Sequence, residues 1–110
     1  MKKARISFEI ELDEKSIPNK IFWDATDSQI KGGKEAKAIA VSIWDKFENQ
    51  TLSIDLWTNE MLVQDMNIFT YQSLVKIADT YQNSTNNPQI AQEIKDFANY
   101  LSEKLEIFKK

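Results

Sequence analysis

The sequence contains no cysteine and no histidine. Those two absences together exclude disulfides, thiol nucleophiles, imidazole acid-base catalysis and the usual zinc ligands. Only two glycines and two prolines punctuate the 110 residues, which leaves little material for a phosphate-cradling loop or a proline-rich linker. No apolar run approaches the roughly 20 residues that a membrane-spanning helix needs. The opening stretch MKKARISFEIELDEK starts with a basic pair, yet its apolar residues alternate with charges and never form the continuous apolar segment of a signal peptide. The chain is therefore expected to stay in the cytoplasm and to insert into no membrane. An excess of positive charge is missing too: 14 Lys and Arg stand against 17 Asp and Glu, for a net charge of -3. Nucleic acid and anionic membranes both select concentrated Lys and Arg, so neither is expected as the main partner.

What is present is the composition of an ordered globular protein, 42% hydrophobic and 28% charged. The length suits one domain spanning residues 1–110. Ile6, Phe8, Ile10 and Leu12 alternate with Arg5, Ser7, Glu9 and Glu11, the pattern of a strand packed on one side. A second strand follows at residues 20–26, KIFWDAT, with Ile21 and Trp23 on one face and Phe22 breaking the phase. The two adjacent glycines lie in DSQIKGGKE, a turn whose spacing to Lys34 is not that of a phosphate loop. Strands three and four are expected at residues 36–47 and 51–58, joined through Glu48, Asn49 and Gln50. Pairing Phe47 with Leu52 sets Ile43 opposite Leu56, Trp44 opposite Asp55 and Ser42 opposite Trp57. Asp45 then falls on the apolar face and is expected at its rim, where water reaches it.

From about Leu62 the period becomes helical. Met66, Phe69, Leu74, Ile77, Ala78 and Tyr81 recur at threes and fours, after Thr58 as a candidate N-cap. The polar run QNSTNN ends that helix. Asn87 and Pro88 open another as N-cap and first helical residue, with an apolar stripe of Ile90, Ile94, Phe97, Leu101, Leu105 and Phe108. Strands followed by helices point to an α+β fold, a four-stranded antiparallel sheet with two long C-terminal helices packed on one face.

Asp24, Asp27, Asp45 and Asp55 are the candidates for paired-carboxylate or oxygen-ligand chemistry, but they lie on different elements and without the spacing of a calcium loop. No catalytic, metal or cofactor site is expected, and the protein reads as a non-enzyme. Trp44, Asp55 and Trp57 are different. By strand parity they share the face opposite Ile43, Leu52, Ile54 and Leu56, beside the small residues Ala38, Ala40, Ser42 and Ser53. A sheet face with large aromatics standing among small residues is a candidate protein-contact surface.

The string SIWDKFENQTLSIDLWTNEMLVQDMNIFTYQSLVKIADTY resembles the most characteristic part of the gliding-motility GldC family of Bacteroidota. The likeness continues through PNKIFWDATD and IKDFANYLSEKLEI, so it covers nearly the whole chain. Leu62 departs from it, standing where the family's string has a proline at the helix start. The resemblance implies an accessory or assembly protein of the gliding apparatus, linked to type IX secretion, whose partners are other motility proteins or further copies of itself. It implies no catalytic residues. The order of strands and helices is also similar to that of the export chaperone SecB, which raises a holdase for unfolded or exported chains as the alternative.

Overall fold

The computed structural model describes residues 2–26 and 33–108. The chain divides into two compact units, Met1–Met61 and Leu62–Lys110. Among the described residues the first holds five strands: β1 (Ile6–Leu12), β2 (Pro18–Ala25), β3 (Lys34–Ala36), β4 (Ala38–Trp44) and β5 (Thr51–Trp57). All pairings are antiparallel, but the strands form two sheets, β1-β2-β3 and β4-β5, rather than one four-stranded sheet. The expected third strand divides at Lys37. Residues before it pair with β2 and residues after it pair with β5, so a bend lets one extended stretch change partners, as at the corners of packed sheets. Beside the bend, the Lys37 carbonyl accepts the Thr58 backbone N–H at 2.8 Å and the Thr58 hydroxyl at 3.1 Å. Thr58 is thus a buried anchor at the end of β5 and not a helix cap.

The β4-β5 register also differs from the sequence expectation. Ile43 lies opposite Leu52, Val41 opposite Ile54, Ile39 opposite Leu56 and Trp44 opposite Thr51. The cause is Asp45. Instead of sitting on a strand face, its carboxylate accepts the backbone N–H groups of Phe47 at 3.0 Å and Glu48 at 2.6 Å, while its own N–H donates to the Gln50 carbonyl at 3.0 Å. An aspartate closing a turn in this way ends β4 early, and Phe47 is left 82% exposed. The displacement is four residues, an even number, so every side chain keeps its face.

In the first sheet Phe8 lies opposite Trp23 and Ile10 opposite Ile21, with Ala36 beyond. Ile21, on the middle strand, is fully buried. Phe22 pairs with Glu9 and Glu35 on the polar face, which accounts for the broken phase of KIFWDAT. Gly33, with φ +84°, stands against the Trp23 backbone. Lys34 and Glu35 belong to β3 and not to the expected turn, and residues 27–32, Asp27 among them, lie outside the described residues.

The second unit is a helical hairpin, α1 (Val63–Thr85) and α2 (Pro88–Lys104). Leu62, with no side-chain acceptor, precedes α1, and the Asp65 carboxylate reaches back to accept its N–H at 3.1 Å. Asn86 closes α1 in the left-handed conformation at φ 56°. Asn87 caps α2, its side-chain oxygen accepting the Ile90 N–H at 3.2 Å, and Pro88 follows as the sequence predicts. At the far end Glu106, at φ 54°, turns the chain so that its own N–H meets the Glu103 carbonyl and that of Ile107 meets Ser102, a Schellman closure. The helix stops there, so Phe108 lies beyond it, its ring meeting Tyr71 edge-on at 5.3 Å.

Candidate protein-contact site

Trp44, Asp55 and Trp57 do share one face of the β4-β5 ribbon, as their parity requires, but the register separates them. Trp57 lies opposite Ala38 and Asp55 opposite Ala40, whereas Trp44 lies opposite Thr51. Six residues of strand, at about 3.3 Å each, put the two tryptophans roughly 20 Å apart at opposite ends of the ribbon. The expected register, with Trp44 opposite Asp55 and so diagonal to Trp57, does not form. Both indoles are open to solvent, 65% exposed at Trp44 and 59% at Trp57.

What Trp57 has instead is a notch. A cavity of ≈ 260 Å³ is lined by Ile17, Pro18, Asp55, Leu56, Trp57 and Asn59. Its far wall comes from the β1-β2 turn, and Asp13 builds that turn. The Asp13 carboxylate accepts the N–H groups of Lys15 at 2.8 Å and Ile17 at 3.0 Å, and its backbone N–H donates to the Ile17 carbonyl at 2.9 Å. Ser16, at φ 62°, carries the chain around. Pro18 follows at the first position of β2, where a residue without an N–H is tolerated, beside the register shift between Glu11 and Leu12. The notch is therefore a mainly apolar recess whose lining includes one acidic residue, Asp55. Ile17, Pro18 and Asn59 were not singled out from the sequence. The only sequence signal was the turn chemistry of Asp13, Ser16 and Pro18, and nothing local says that this turn stands beside β5.

Asp24 and Asp45 do not join Asp55. Asp24 lines a separate recess of ≈ 310 Å³ with Ser7, Glu9, Phe22, Trp23 and Gly33, and its carboxylate accepts the Ala25 N–H at 2.9 Å. Asp45 is engaged in its turn. Among the described residues no three acidic side chains come together as a metal site, and no helix is long and apolar enough to cross a membrane.

The family of gliding motility-associated GldC-like proteins matches residues 18–107, and the chain belongs to that family. No curated protein and no solved structure matches the chain.

Proposed function

We propose that this member of the GldC-like family is a non-enzymatic accessory protein of the gliding motility machinery, linked to type IX secretion. It acts in the cytoplasm by binding other motility proteins. The observation that carries the reading is the notch at Trp57, an exposed indole beside an apolar recess with Asp55 on its wall. Tryptophans at the centre of binding patches often contribute 2 kcal/mol or more when a partner covers them. Trp44, at the other end of the ribbon, extends the same face. Affinity capture from gliding cells expressing the tagged full-length chain tests this, with Trp57→Lys and Trp44→Lys beside the wild type. The expected result is a defined set of motility proteins that Trp57→Lys loses by about tenfold or more while the fold is retained. Capture unchanged by Trp57→Lys refutes the site.

A holdase role is the second reading, favoured by the large apolar side chains left open along the strands, among them Ile6, Leu12 and Ile54. A holdase of this kind suppresses the aggregation of a chemically denatured model protein at stoichiometric ratios. A partner-specific accessory protein does not.

A further inference from the structure

The hairpin of α1 and α2 is joined by small residues. Ala78 of α1 and Ala91 and Ala98 of α2 are fully buried, with Ser102 nearly so. That seam uses one face of α2, whose most deeply buried side chains are all small. At about 100° per residue, Ile90, Ile94, Phe97 and Leu101 form a second stripe about a quarter turn around α2 from the alanines. Their spacing of four, three and four is that of the seam positions of a helical bundle. On α1 the same rotation brings Leu74, Ile77 and Tyr81 to the same side of the hairpin. The ion pair between Asp79 and Lys95, at 2.8 Å, marks the opposite side. The hairpin thus has one polar groove and one broad apolar face, on which Phe97 is 53% and Ile77 55% exposed.

We propose that a second copy of this chain packs on that apolar face, the two hairpins closing into a four-helix bundle about a twofold axis. A hairpin whose fully buried side chains are all alanine has no closed core of its own, and a second layer supplies one. The size of the face suits a copy of itself. Seventeen helical residues at about 1.5 Å span about 25 Å. Two helices about 9 Å apart present a width of roughly 20 Å. Each copy then contributes about 500 Å² and the pair about 1,000 Å², which reaches the lower bound for a specific interface. Two copies each carrying a net charge of -3 repel one another. None of Ile90, Ile94, Phe97, Leu101, Leu74, Ile77 and Tyr81 is an acidic or basic residue, so a twofold contact centred there keeps the like charges at its rim, and identical faces meet as an isologous pair. This surface shares no residue with the Trp57 notch, so separate substitutions test the two contacts.

The test is sedimentation equilibrium on the full chain at several concentrations, with Phe97→Lys, Phe97→Ala and Trp57→Lys. The wild type is expected at twice 12.8 kDa, or about 25.6 kDa. Phe97→Lys is expected at half that mass with its helical circular dichroism retained, and Trp57→Lys at the wild-type mass. If the lysine variant does not fold, the milder Phe97→Ala must weaken the association by about tenfold or more, and the wild-type melting temperature must rise with protein concentration. A monomeric wild type at tens of micromolar, self-association that survives both Phe97 substitutions, or a melting temperature independent of concentration overturns the proposal.

Discussion

Ile21→Ala isolates what holds the first sheet together. Ile21 lies on the middle strand β2, between Ile10 on one side and Ala36 on the other. It is the largest side chain that is fully buried among the described residues. Truncation to alanine removes three carbons. At about 0.8 kcal/mol each, that is about 2.4 kcal/mol of lost transfer free energy, and the cavity left in a pleated sheet flanked by β1 and β3 raises the cost to about 3 to 4 kcal/mol. Ile21→Val removes one carbon and is expected to cost about 1 kcal/mol. Phe47→Ala is the control, since the ring stands out from the β4-β5 turn, and it should cost under about 0.5 kcal/mol. Urea unfolding at one fixed protein concentration, followed by circular dichroism, measures all three. The expected ranking is Ile21→Ala, then Ile21→Val, then Phe47→Ala. A loss below about 1 kcal/mol for Ile21→Ala, or a Phe47→Ala cost equal to it, would refute the placement of the core on β2.

Asn87→Ala removes the acceptor for the Ile90 N–H. It should cost about 1 kcal/mol and speed hydrogen exchange in the first turn of α2, whereas Asn87→Asp keeps the cap and the stability. Gly33→Ala should cost more than about 1 kcal/mol in thermal unfolding, because the backbone there is left-handed and an added Cβ would lie 2.9 Å from the Trp23 carbonyl oxygen. An alanine that left the melting temperature unchanged would show that the Trp23 backbone gives way.

Local pattern was enough to set the elements and the faces of their side chains. Alternation in residues 6–12 and the threes and fours after Leu62 set strand and helix, because each period maps directly onto which side chains share a face. Asn87 and Pro88 marked a helix start because capping is satisfied within three residues of the cap. Strand parity put Trp44, Asp55 and Trp57 on one face, and any even slip of register preserves that. Tertiary structure decided what neighbouring residues could not. Pairings of β4 with β5 that differ by four residues bury the same aliphatic face, so the choice fell to the Asp45 carboxylate folding the turn. That choice separated the tryptophans. The division at Lys37 into two sheets, and the recess that joins Trp57 to Ile17 and Pro18, depend on segments distant along the chain. On α2 the stripe of Ile90, Ile94, Phe97 and Leu101 was legible as apolar, yet the face that meets α1 is the alanine one. Hydrophobic periodicity specifies that a face must be covered, and only the packing of one element against another specifies which surface covers it.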